Sequence, residues 1–233
     1  TNEIQGDLVT FNNESYYKIS NSDKMRPFFM SIVSDSNHWM FISSNGGLTA
    51  GRQNANHPLF PYYTDDKITE LAEITGSKSI FVIENTNGQS PLWEPFSIRQ
   101  EGVYKVSRNL YKNIYGNKVL FEEINHDLDL TFRYQWNSSE EFGFVKKSEL
   151  INELDLEMKV TLLDGIQNIL PAGVGSDLQN STSNLVDAYK RSELLQESGI
   201  GIFALSALIV DKAEPSESLK ATVAWSLGLE KPT

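Results

Sequence analysis

Leu128-Asp129-Leu130-Thr131-Phe132-Arg133-Tyr134-Gln135-Trp136 alternates apolar and polar side chains without a break. Successive side chains of an extended chain point to opposite faces, so Leu128, Leu130, Phe132, Tyr134 and Trp136 share one face of a half-buried strand. The same period spreads outward in both directions. Upstream it marks Tyr16–Ser20, Phe28–Ser34, His38–Ser43, Ser79–Glu84, Val103–Asn109, Tyr111–Tyr115 and Lys118–Ile124. Downstream it marks Phe142–Lys147, Leu154–Leu163, Ile200–Val210 and Leu219–Leu227. Asp35-Ser36-Asn37, Asn85-Thr86-Asn87-Gly88 and Gly116-Asn117 supply the turn chemistry between them. Only Ser183–Ser198 departs from this rhythm. There Leu185, Ala188, Tyr189 and Leu195 fit a helical period, Asp187 and Arg191 stand four apart, Ser181 or Ser183 can cap the start and Gly199 can end it. The expected fold is mainly β: two packed antiparallel sheets in a single domain, residues 1–233, with one late α-helix.

Composition narrows the function classes. The 233 residues are 39% apolar and 22% charged, and carry a formal net charge of −11. That charge repels phosphate backbones and no Lys/Arg cluster offsets it, so nucleic acid is an unexpected partner. No apolar run reaches the ~18–20 residues of a membrane helix, so no membrane partner is expected. Without cysteine there is no disulfide, thiolate metal site or cysteine nucleophile. The chain begins at Thr1 with no charged-then-apolar leader, which reads as a cytoplasmic fragment of something longer. Aromatic residues make up 11% of the chain, with four Trp, nine Tyr and twelve Phe. Aromatics interleaved with Asn and Gly suit a sheet core, and they also suit sugar rings and hydroxyls.

The chemical motifs are sparse. Gly199-Ile200-Gly201-Ile202-Phe203-Ala204 matches a dinucleotide fingerprint in letters only, because a β-type run follows it where a helix should open. No cofactor is expected. The three histidines, His38, His57 and His126, lack metal-ligand spacing, so no metal is expected either. No G-x-S-x-G elbow is present. Glu122/Glu123 are neighbours on extended chain and point apart, and Glu140/Glu141 after Asn137-Ser138-Ser139 reads as a solvated hairpin tip, so neither forms an acid/base pair by itself; Asp65-Asp66 is the one doublet kept as a candidate. Catalytic residues are therefore none.

The stretch 46–75 is the least regular. It carries Asn45-Gly46-Gly47, Gly51-Arg52, Phe60-Pro61, Tyr62-Tyr63 and Asp65-Asp66, a composition typical of functional loops. Trp39–Arg52 and Leu59–Ile68 around it resemble the early part of cellobiose- and chitobiose-phosphorylase-like proteins. Ser90–Phe96, Leu120–Trp136, Leu150–Val160 and Leu163–Pro171 are similar to later parts of the same amino-terminal domain. The resemblance implies a galactose-mutarotase-like super-sandwich of two large antiparallel sheets. In that family the sandwich is not itself catalytic. It precedes a helical (α/α)6-barrel that carries the acid/base chemistry, packs on it, aids dimerisation and can lend a loop to the active-site mouth.

The leading expectation is a non-catalytic, carbohydrate-associated amino-terminal domain of a glycoside phosphorylase or hydrolase. Its partners would be a sugar or oligosaccharide, the carboxy-terminal catalytic domain of the same chain and a second copy as homodimer. The candidate sugar-contacting residues are Asn45, Gly46, Gly47, Arg52, Tyr62, Tyr63 and Asp65. The glycines let backbone N–H groups approach a ligand, and Arg52 offers a fork to hydroxyls or phosphate. An autonomous carbohydrate-binding module, reported by Trp39 or Trp93 fluorescence, is the second expectation. A free-standing aldose epimerase, which needs a Glu and a His in one cleft, is a third.

Overall fold

Period-2 alternation becomes strand over 49% of the chain, and the strand pairings whose register is defined among the described residues are antiparallel. A computed structural model describes residues 3–63, 65–84, 90–209 and 218–228, without the side chains of Asp65 and Asp66. The elements run β1 (Gln5–Phe11), β2 (Glu14–Ser20), β3 (Phe29–Ile32), β4 (His38–Ser43), β5 (Leu48–Arg52), a single turn α1 (Asp65–Ile68), β6 (Gly76–Glu84) and β7 (Leu92–Trp93). They continue as β8 (Val106–Asn113), β9 (Lys118–Asn125), β10 (Leu130–Ser139), β11 (Gly143–Asn152), β12 (Lys159–Gln167), the helix α2 (Ser176–Tyr189), β13 (Lys190–Leu195), β14 (Ile200–Leu205) and β15 (Ala221–Ala224). The expectation of a mainly β chain with one late helix of more than a turn holds. Two compact units divide the chain: Thr1–Leu48 with Thr64–Gln167, and Thr49–Tyr63 with Asn168–Thr233.

The described strands form four sheets, not the two expected, and two of them lie wholly in the first unit. A six-stranded sheet runs in the order β1-β2-β8-β9-β10-β11, and a three-stranded sheet in the order β12-β6-β7. They meet through Phe81 on β6, whose ring lies 5.1 Å from Phe132 on β10, and through Trp93 on β7, which packs 5.5 Å from Phe81 within the smaller sheet and donates its indole N–H to Glu123 on β9 at 2.9 Å. The face of β10 read from the sequence is this contact, with Leu130, Phe132, Tyr134 and Trp136 all buried. The larger sheet is strongly curled. On a flat sheet β1 and β10 would lie about 19 Å apart, four spacings of ~4.8 Å. Yet the Phe11 ring on β1 sits 5.1 Å from the Arg133 guanidinium on β10, and the Tyr16 hydroxyl on β2 donates to Gln135 at 3.2 Å. Right-handed strand twist accumulating over six strands produces this curl. It covers a second, smaller cluster of Val9, Phe11, Tyr16, Tyr111 and Leu120 on the opposite face.

The second unit packs α2 on β14 through Leu170, Val174, Val186 and Leu205, all buried. Thr182 breaks the helical backbone within α2 (φ −144°, ψ 41°). There the Ser181 and Thr182 hydroxyls donate back to the Asp177 and Leu178 carbonyls, a competition that bends helices.

Several expected boundaries need correction. The helix expected over Ser183–Ser198 begins at Ser176 and stops at Tyr189, and Lys190–Leu195 is strand β13. Pairing with Ile200–Leu205 overrides the local period, Asp187 bridges to Lys190 at 3.0 Å, and Gly199 (φ 71°) turns the β13–β14 hairpin. Val103–Asn109 and Tyr111–Tyr115 merge into β8, because β9 pairs with Val106–Lys112 without interruption. Leu154–Met158 is not strand: the Asn152 side chain accepts from Leu154 N–H and donates to the Leu156 carbonyl, which closes a turn and leaves Leu156 exposed. The turn 85–88 and Val210 lie outside the described residues. Four elements were not foreseen: β1, the short β7, and β5 and the single turn α1 within the irregular stretch.

Candidate functional site

The Asn45-Gly46-Gly47 turn leaves β4 and is closed by Ser43, whose N–H donates to the Gly47 carbonyl at 2.7 Å while its own carbonyl accepts from Gly46 N–H at 2.9 Å. Gly46 adopts φ 94°, and a methyl group there would stand 2.7 Å from the Tyr134 hydroxyl. A methyl group on Gly47 would overlap the Ile68 carbonyl. Asn45 donates to the Thr69 carbonyl at 2.8 Å and accepts from Gly47 N–H at 3.3 Å. Both glycine N–H groups are therefore engaged within the turn. The glycines permit close approach of α1 and Tyr134, which is the same steric freedom the sequence reading assigned to a ligand.

Beneath the turn is a cavity of about 20 Å³, room for one water-sized group, bordered by Asn45, Gly46, Glu73, Lys78, Ser79 and Tyr134. Its charges are paired. The Lys78 ammonium bridges Glu73 (3.0 Å) and Glu94, and Arg99 approaches both carboxylates at 3.9–4.0 Å. Burial pushes the Glu73 carboxyl up, but the Ile98 N–H, Lys78 and the Ser97 hydroxyl outweigh it and hold it below the ordinary value. Ser79 donates to Asp164 at 2.5 Å, and Lys146 donates to the same oxygen at 2.7 Å. Burial lowers the Lys146 ammonium and raises the Tyr134 hydroxyl, whose ring stacks on Phe121 at 4.8 Å.

Two further carboxylates lie deeper. Glu122 and Glu123 are neighbours on β9 and point to opposite faces, as read from the sequence, yet both are buried. Glu123 accepts from the Trp93 indole, Phe96 N–H and Arg108 at 2.7–2.9 Å. Glu122 accepts from Asn109, Tyr111 and Arg133 at 2.6–2.8 Å. Burial raises the Glu122 carboxyl, and these donors outweigh it, so it too sits below the ordinary range. The sequence gives one signal for this, the apolar Val119-Leu120-Phe121 run that precedes the doublet.

The sequence-derived candidates divide between the units. Asn45, Gly46 and Gly47 belong to the first, with Asp65 opening α1; the Asp65 side chain lies outside the described residues. Arg52, Tyr62 and Tyr63 belong to the second. There Arg52 is exposed at the end of β5, Tyr62 N–H donates to the Gln179 side chain at 3.0 Å, and Tyr63 is 40% exposed. The histidines do not converge: His126 contacts Ser107 at 2.8 Å, His57 contacts Asn54 at 3.1 Å and His38 contacts Ser36 at 2.7 Å. Among the described residues no group of three His, Asp or Glu side chains is placed to hold a metal ion.

One face of the first unit carries aromatic rings outward. Met40, Ile42 and Ile32 point into the core from the β3–β4 hairpin, so Trp39, Phe41 and Phe29 alternate to the other side. Phe41 lies 6.1 Å from Trp39 and 6.0 Å from Phe29, with the exposed Ser31 directly across the strand pair from it. Trp93, by contrast, is fully buried. No family model matches the chain, and no curated protein matches its sequence.

Proposed function

We propose that this chain is a non-catalytic, carbohydrate-associated domain that packs against the catalytic domain of a glycoside phosphorylase or hydrolase. The observation that carries the non-catalytic half is the pairing of the carboxylates. Glu73, Glu94, Glu122, Glu123 and Asp164 are each held by cationic or N–H donors in closed networks. A glycosidase needs two carboxyl groups facing each other across an open cleft, one free to give a proton. An aldose epimerase needs an acid and a base within reach of one sugar. Neither arrangement occurs among these residues. The sugar half is supported by the resemblance of the Trp39–Asp66 region to the phosphorylase-like proteins and by the outward aromatic residues.

The test measures chemistry and association separately. The isolated chain is expected to leave cellobiose and chitobiose uncleaved, with or without phosphate, and to leave the anomer equilibration rate of glucose and galactose unchanged by polarimetry. Turnover in any of these assays overturns the reading. In the protein that joins this chain to its catalytic domain, Arg52→Ala is expected to raise KM or lower kcat. Unchanged constants remove the 45–65 stretch from the sugar site.

A further inference from the structure

We propose that Trp39, Phe41 and Phe29 form a binding strip for a short, neutral, soluble oligosaccharide. This rests on the carbohydrate-associated reading above and adds to the Asn45–Asp65 stretch a second contact surface, the outer face of the β3–β4 hairpin. The rings succeed one another at 6.1 and 6.0 Å, a spacing close to the length of one pyranose unit in a chain. The axial C–H groups of a pyranose pack on an aromatic face, while its equatorial hydroxyls remain free for polar neighbours. Ser31, exposed and paired across from Phe41, supplies such a neighbour at the centre of the row.

Size decides against a protein occupant. Phe29 is 47% and Phe41 36% exposed, and Trp39 less. At roughly 150–250 Å² per aromatic side chain, the strip offers on the order of 200 Å². A stable protein interface needs about 800 Å² from each partner. Three rings fall well short of that and suit a ligand of two or three sugar units. The tilt of the rings selects among glycans. Trp39 and Phe41 are tilted by 37° and Phe41 and Phe29 meet edge to face at 64°, so the three rings do not share one plane. A flat crystalline polysaccharide surface would touch one ring at a time, whereas a single chain in solution can bend to meet rings of different inclination. The net charge of −11 disfavours uronic or sulfated sugars.

The experiment titrates the full chain with a panel of neutral oligosaccharides and one insoluble crystalline polysaccharide, by calorimetry and tryptophan emission. Binding of a soluble oligosaccharide is expected, with loss of at least tenfold in affinity for Phe41→Ala and for Trp39→Ala. Ser31→Glu keeps all three rings but places a charged side chain on the strip, and is expected to lose binding equally. It guards against unfolding of the ring-deleted variants, which unchanged thermal melts would also exclude. Oligosaccharide binding that survives all three substitutions overturns the strip and leaves the carbohydrate reading standing. Preference for the crystalline polymer overturns it as well. So does the absence of any binding, and the wider reading is then decided by the turnover assays on the isolated chain. Concentration-dependent dimerisation abolished by Phe41→Ala, without glycan binding, would replace the sugar with a second copy of the chain.

Discussion

Gly46 shows how one residue answers to two constraints. Its φ of 94° is a conformation L side chains rarely adopt, and the Tyr134 hydroxyl occupies the space a Cβ would need. The backbone part of a Gly46→Ala change should cost roughly 1–3 kcal/mol. Overlap with Tyr134 adds to it, and that part alone should be relieved in Gly46→Ala/Tyr134→Phe. Urea melts of the four proteins in this cycle check it; an equal loss in both backgrounds would show that Tyr134 is not the obstacle. The Gly46-Gly47 pair was legible in the sequence as a place of close approach. What approaches was not legible, because Tyr134 is brought there by strand pairing remote from the turn.

Elements report the same division between local and distant causes. The β1–β2 hairpin joins Phe11 to Glu14 through Asn12 and Asn13, both left-handed (φ 48° and 63°), a two-residue turn of the type that matches strand twist. Asn tolerates this conformation, so Asn13→Gly should preserve or raise the thermal midpoint. Asn13→Val should cost about 1–2 kcal/mol, the strain of a left-handed β-branched residue. Equal midpoints for the two variants would mean that this hairpin frays before global unfolding. The α2 helix was half legible: Leu185, Ala188 and Tyr189 lie within it, but its start is set by Gly175 and its end by pairing of Lys190 with Leu205. A hydrophobic period cannot locate that end, since Leu195 fits a helix and a strand equally well. Leu154–Leu163 failed for the opposite reason. Its alternation is real, but the Asn152 side chain ties the first half into a turn.

At the scale of the molecule, the paired carboxylates set the response to acid. Glu73 and Glu122 bind protons more weakly in the folded chain than in the unfolded one. Their contribution is complete above the unfolded value near 4.3. It is lost as pH falls through the lower folded values, because the unfolded state then binds more protons. Urea midpoints are therefore expected to hold from pH 7 to 5 and to fall steeply below 4. Glu122→Gln should lose roughly 1.5–3 kcal/mol at pH 7 by weakening charged hydrogen bonds to Arg133, Asn109 and Tyr111. It should also flatten the acid branch; an unchanged slope below pH 4 would place the acid response elsewhere.

Strand periodicity, turn residues and the absence of cysteine are properties of neighbours along the chain, so the sequence by itself determined a mainly β, antiparallel architecture and excluded thiol chemistry. Burial is a property of residues far apart, and only the tertiary structure decided it. Trp39 and Trp93 both sit in strands, yet Trp93 is enclosed between β6 and β9 while Trp39 faces outward. Glu122 and Glu123 look like a solvated doublet until a second layer covers one face of β9 and the curl of the sheet covers the other. Alternation specifies which side chains share a face; packing against other strands decides whether that face meets water.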